Sequence, residues 1–131
     1  VWIDTDTEEL VIVEYKSAST QSEIDLNDGT PWKEQYKRQI DIYQWLFKMN
    51  GFKVTNEAYI IYFNGKKNEK FFHNKLEFDA HVVKLNCSTE WVEQKILETV
   101  DLLRSKTFPG PSHKCENCNY LKKRWNLIKN T

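Results

Sequence analysis

The chain has 131 residues, 40% of them apolar, with five Trp, six Tyr and seven Phe, a size and composition that fit one folded domain and exclude disorder. No run of about 18 apolar residues and no signal-peptide pattern occur, which excludes a membrane-spanning helix and leaves no expectation of secretion. Three cysteines, an odd number, speak against a disulfide framework and for a reduced, cytoplasmic setting.

Val1-Trp2-Ile3 and Leu10 to Tyr15 are two β-rich runs, and the polar DTDTEE between them predicts a hairpin. The second run is nearly continuous in apolar residues, as in a strand covered on both faces. Residues 17–31 are rich in Ser, Thr, Asn, Asp, Gly and Pro and read as a loop. PWKEQYKRQIDIYQWLFKMNG then predicts a helix, with Thr30 as N-cap, Pro31 at the first helical position and Asn50-Gly51 as the stop. Its apolar stripe is Trp32, Tyr36, Ile40, Tyr43 and Phe47, with Leu46 beside it.

EAYIIYF is the next strand, and NGKK reads as a turn. EKFFHNKLEFDAHVVKL supplies one long or two short strands. STEWVEQKILETVDLLRSK predicts a second helix capped by Ser88 or Thr89, with Trp91, Ile96, Val100 and Leu103 near one face. FPGP ends it, and residues 111–131 form a basic tail of the same domain, with a CxxC and a short helix-like piece. The order β-β-α-β-β-α-tail predicts an α/β domain with a central mixed β-sheet flanked by helices. The chain opens at Val1 already in strand-like sequence, so a piece of something longer, lacking its N-terminal part, is the expectation.

Net charge is zero but unevenly spread. Residues 1–30 hold eight acids and one base, residues 31–70 eight bases and four acids, and residues 111–131 five bases and one acid. This suits either an acidic metal site beside a polyanion-binding face or an ordinary solvated surface.

In LVIVEYKSAST, Glu14 and Lys16 are two apart on a strand and share a face with Leu10 and Ile12. That face turns from apolar to ionic at the strand's carboxyl end, where ligands bind in α/β sheets. A carboxylate there, with a nearby backbone carbonyl such as that of Tyr15, suits a hard cation. An ammonium beside it suits charge on a phosphoryl oxygen. The plain alternative is an ion pair at a strand end. On the helix, Gln39 and Tyr43 are four apart on one face, and an amide within an apolar stripe needs a partner or a wet cleft.

Together these motifs resemble the PD-(D/E)xK nuclease superfamily, in its RecB-like branch. VIVEYKS is similar to that branch's acidic-x-Lys strand, QIDIY to its Gln-x-x-x-Tyr helix motif, and CENCNY to its C-terminal Cys-x-x-Cys-x-Tyr. The resemblance implies a restriction-endonuclease-like core with Glu14 as metal ligand, Lys16 as catalytic lysine, Gln39 near the metal or nucleic acid and Tyr43 supporting it. It also implies Mg²⁺ or Mn²⁺ as cofactor and DNA as substrate. The reaction implied is phosphodiester hydrolysis by in-line attack of a metal-bound water, commonly exonucleolytic, in repair, recombination or phage replication.

Two departures stand beside this. The family has a second metal-binding Asp on the strand paired with the Glu strand. Hairpin pairing sets Asp4 near Glu9 and Val1 near Ile12, so the position beside Glu14 falls about two residues before Val1; Asp4 is the fallback ligand. With only Cys115 and Cys118 at the C-terminus, and Arg124 where a further cysteine would stand, an iron–sulfur cluster is not expected. Zinc held by Cys115 and Cys118, with His113 and Cys87, is an option by count and is not expected. His73 and His81 read as surface or packing residues, and Lys66, Lys67 and Lys70 read equally as phosphate contacts or as a solvated hairpin tip. Lys122, Lys123 and Arg124 with Trp125 are the basic-plus-aromatic candidate for nucleic acid. The competing readings are a nuclease-fold protein that binds nucleic acid or a protein partner without cutting, and a zinc-stabilised interaction module.

Overall fold

The computed structural model describes residues 1–20, 30–68 and 74–129, apart from the side chains of residues 31 and 32. Lys70, His73 and the side chain of Trp32 therefore lie outside the described residues. Among the described residues the elements are β1 (Trp2–Ile3), β2 (Leu10–Ala18), α1 (Pro31–Met49), β3 (Val54–Gly65), β4 (Phe78–Asn86), α2 (Val92–Arg104) and α3 (Glu116–Lys129). The strands form one sheet in the order β1-β2-β3-β4. β1 and β2 are antiparallel, β2 and β3 parallel, β3 and β4 antiparallel, so the sheet is mixed as the sequence predicts. The chain divides into two compact units, Val1–Lys95 and Ile96–Thr131.

The first unit is a β-α-β crossover with a strand added at either side. Parallel neighbours need such a crossover, and α1 supplies it. The register pairs Ile12 with Ala58, Glu14 with Ile60 and Lys16 with Tyr62. These six side chains therefore share one face. The core forms there: Ile12, Ala58, Ile60, Tyr62 and Leu85 from the sheet meet Ile40 of α1, with Tyr36, Tyr43 and Phe47 packed against them. Ile40 and Ile60 are fully buried, each contributing about 2–3 kcal/mol of apolar burial. The other face carries tilted aromatic pairs, Trp2 with Tyr59 and Tyr15 with Phe63, and an edge contact of Phe63 with Phe78.

α1 begins where Pro31 sits at its first position, after an extended Thr30. The Thr30 hydroxyl makes no capping bond; its carbonyl accepts the amides of Lys33 and Glu34 instead. The C-terminus is a Schellman motif. Gly51 has φ +84°, its N–H donates to the carbonyl of Lys48, and that of Phe52 donates to Phe47. The accompanying apolar contact is present too, with the Phe47 and Phe52 rings 5.5 Å apart. Gln44, fully buried, ties α1 to the start of β3 by donating Nε2 to the carbonyls of Thr55 and Glu57.

Two expectations change, and a third, for residues 69–85, falls partly outside the described residues. β3 runs from Val54 through Asn64 and Gly65, which pair with Asp79 and Phe78, so NGKK is not a tight turn about Asn-Gly. Asn64 spends its side chain on the backbone of Thr20, accepting its N–H and donating to its carbonyl. A Cβ on Gly65 would meet the Phe78 ring at 3.3 Å. Among the described residues the 69–85 stretch contributes one strand, β4, and residues 74–77 precede it without strand structure. α2 starts at Val92, later than a cap at Ser88 or Thr89 would set it: Asp41 of α1 accepts the Ser88 amide at 3.1 Å and the Trp91 indole N–H at 2.9 Å, which holds those residues in the approach to the helix.

The second unit holds the rest of α2 and all of α3, the helix-like tail realised as 14 residues without a buried side chain.

Candidate active site

Lys16 is the hub. Its Nζ donates to Glu14 Oε1 at 2.8 Å and to Gln39 Oε1 at 2.9 Å, and it lies over the Tyr36 ring, 4.6 Å from the centroid. Gln39 passes the chain on, donating Nε2 to the Tyr43 hydroxyl at 2.5 Å. β2 presents Glu14 and Lys16 because they follow Ile12 at a spacing of two. α1 presents Gln39 because it lies beside Tyr36 and Tyr43, whose rings rest on the same sheet face. The amide of Gln39 has one acceptor and one donor engaged, which fixes its orientation.

The ion pair is partly open: the side chains of Lys16 and Glu14 are 18% and 22% exposed. Solvent or a ligand can reach it, while Tyr36 and the sheet shield its rear. Tyr62, beside Lys16 in the register, has its hydroxyl pKa pushed up by burial; Tyr36 adds to this and the charge of Lys33 opposes it. Lys33, in the first turn of α1, is itself buried.

Glu14 and the carbonyl of Tyr15 are the atoms here that fit a hard divalent cation. Both are oxygen donors. β1 pairs with β2 only at Leu10 and Val11, so among the described residues the outer edge of β2 has no strand neighbour from Ile12 onward, and alternate carbonyls there point away from β3. Mg²⁺ commonly takes one or two carboxylates and completes its shell with water and substrate phosphate, so this donor set is compatible with it. Among the described residues no three His, Cys, Asp or Glu side chains converge on one metal position.

Of the other sequence candidates, Asp4 lies away from this cluster, and those from His113 to Arg124 belong to the second unit. The Asp4 carboxylate accepts the amides of Asp6 and Thr7 at 2.9 and 3.0 Å within the β1–β2 turn, and these bonds lower its pKa, that from Thr7 most. Asp4 stands opposite Glu9, five residues from Glu14 along β2, or about 17 Å at strand rise. Extended along the same register, the place opposite Glu14 falls two residues ahead of Val1.

Cys115 precedes α3 and Cys118 lies in its first turn. The Cys115 Sγ accepts the Cys118 amide at 3.4 Å, and the Cys118 thiol, then that amide, lower its pKa. Cys87 belongs to the first unit, and burial, then the nearby Asp41, push its thiol up to about 12. Lys122, Lys123 and Arg124 are exposed on α3; Arg124 donates to the Tyr120 hydroxyl at 3.2 Å, and Lys129, not one of the trio, lies over Trp125. Lys66 pairs with Asp79 at 3.1 Å, Lys67 donates to the Ser19 carbonyl, and His81 is exposed on β4.

Sequence reasoning did not find Tyr36 as a site residue. Its signal was its place on the apolar stripe, three residues before Gln39. Asp41 and Gln44 were also missed as tethers of α1. A second amide on the stripe, four residues after Ile40, was the clue to Gln44.

No curated protein and no solved structure gives a significant match to the chain. A family model described as the PD-(D/E)XK nuclease superfamily matches residues 2–122, nearly the whole chain. That span takes in the sheet, α1 and the Glu14-x-Lys16 pair on β2, and the chain belongs to the PD-(D/E)XK nuclease superfamily.

Proposed function

We propose that this protein is an intracellular, RecB-like deoxyribonuclease that hydrolyses phosphodiester bonds with Mg²⁺ or Mn²⁺, commonly from DNA ends, in repair, recombination or phage replication. Members of the superfamily are generally nucleases that use divalent metal ions. The observation that carries the proposal is the seating of Lys16 between Glu14 and Gln39 over the Tyr36 ring.

In this reading the metal, when bound, supplies Lewis acidity and a more acidic water. Glu14 and the Tyr15 carbonyl hold it. Lys16, restrained by two acceptors, places a positive charge where the phosphoryl oxygen gains negative charge. Because that charge is already oriented, little reorganisation is needed as the bond breaks. Gln39 fixes Lys16 without neutralising it, since its acceptor is an amide oxygen, and Tyr43 fixes Gln39.

The test is Lys16→Ala in the full natural protein, assayed on end-labelled single- and double-stranded DNA with Mg²⁺. Cleavage is expected to fall by at least about 100-fold, the scale of a lost electrostatic stabiliser, with the far-ultraviolet dichroism unchanged. Full activity in the variant would sink the proposal. A wild-type protein that binds DNA and never cuts it would establish the alternative, a nuclease fold retained for binding.

A further inference from the structure

We infer that the outer flank of α1 is the seat of a neighbouring nucleotide of the substrate strand, with Arg38 on its phosphate. The inference rests on the nuclease reading above and adds to it a residue and a place.

Gln35, Arg38, Gln39, Ile42 and Tyr43 line a shallow cleft of about 360 Å³ whose exposed lining is almost wholly carbon. These positions make one flank of the helix, since residues three and four apart are neighbours on its surface. Gln39 and Tyr43 belong to this cleft and to the Lys16 chain alike, so the cleft continues directly from the candidate site.

Arg38 is exposed, and among the described residues it has no carboxylate partner. Its neighbour Lys37 is by contrast paired with Glu34 at 2.9 Å. An Arg left unpaired at the rim of an apolar cleft is complementary to an occupant with both an anion and a flat apolar face. A nucleotide has both. The guanidinium fork matches two phosphate oxygens, and Ile42 with the Tyr43 ring offers a base a surface on which to stack. An acidic peptide would satisfy Arg38 and leave the apolar floor unused. The strand being cut must also leave Lys16 in some direction, and this flank is the adjoining surface.

The experiment is fluorescence anisotropy of the full natural protein with a labelled 12-nucleotide single strand, Ca²⁺ replacing Mg²⁺ to hold back cleavage, over a range of KCl. Arg38→Gln is expected to weaken binding several-fold at low salt and to flatten the slope of log K against log[salt] by about 0.7, the value for one phosphate contact on a single strand. In Mg²⁺ the loss should fall on KM more than on kcat. Arg38→Lys should recover part of the affinity, and a poly-glutamate peptide of equal charge should compete poorly. Unchanged affinity and slope in Arg38→Gln, or equal competition by the peptide, would overturn the inference. Run beside it, Lys16→Ala separates the two readings. An inactive Lys16→Ala with a normally binding Arg38→Gln removes only the Arg38 seat; an active Lys16→Ala removes the nuclease reading itself.

Discussion

Lys16 has one ionised acceptor and one neutral one, and they do different things. Glu14 compensates its charge; Gln39 only aims it. Replacing Gln39 by Leu keeps the volume, removes the neutral acceptor and leaves the Tyr43 hydroxyl without its donor. A hydrogen bond to a charged group is worth about 1.5–3 kcal/mol, so a 10- to 100-fold fall in kcat/KM is expected, smaller than that of Lys16→Ala. Steady-state kinetics on one oligonucleotide would check it; a loss as large as that of Lys16→Ala would mean Gln39 acts on substrate directly. Local rules put Glu14 with Lys16 on one strand face and Gln39 with Tyr43 on one helix face; the resemblance to the nuclease motifs is what joined the two pairs into one candidate site, and the structure brings them together. Tyr36 was not legible as a site residue. Its contact with Lys16 depends on how far α1 slides along β2, and no local rule sets that distance.

At the scale of elements, α1 was legible nearly to its ends. Its stripe, its leading proline and its trailing Asn-Gly agree with one another. The Gly51 stop is testable by itself. No heavy atom would lie within 4 Å of an added Cβ, so Gly51→Ala meets only the cost of the left-handed backbone. A destabilisation of about 1–2 kcal/mol is expected, read as a lower urea midpoint at unchanged slope. A midpoint equal to wild type would mean that the helix end re-forms with another termination.

β3 was misjudged at its end for a reason of the same kind. Asn-Gly makes a tight hairpin turn by taking positive φ at both positions, and neither Asn64 nor Gly65 does so. The Asn64 side chain is bonded to Thr20, 44 residues away in sequence, and the pair stays in the strand. Long-range partners of polar side chains are what a local reading cannot supply, and the same is true of Asp41, which fixes where α2 begins.

For the molecule as a whole, a metal that binds the folded chain and not the unfolded one must raise its stability. At a free concentration one hundred times its dissociation constant the gain is about 2.7 kcal/mol. Thermal melts with Mg²⁺ or Mn²⁺ are therefore expected to shift upward, and Glu14→Gln to remove the shift. A shift that survives Glu14→Gln would place the ion elsewhere.

The pairing of β2 with β3 sets more than the core. Ile12, Glu14 and Lys16 alternate with Val13, Tyr15 and Ser17, so sliding β2 by one residue would exchange the two sets. The ionic pair would then leave α1 and emerge among the aromatic rings of the far side, with every residue still present. Inserting or deleting a single residue between the β1–β2 turn and Glu14 thus acts as a frameshift in space. It would change no residue of the site, and it would turn the site inside out.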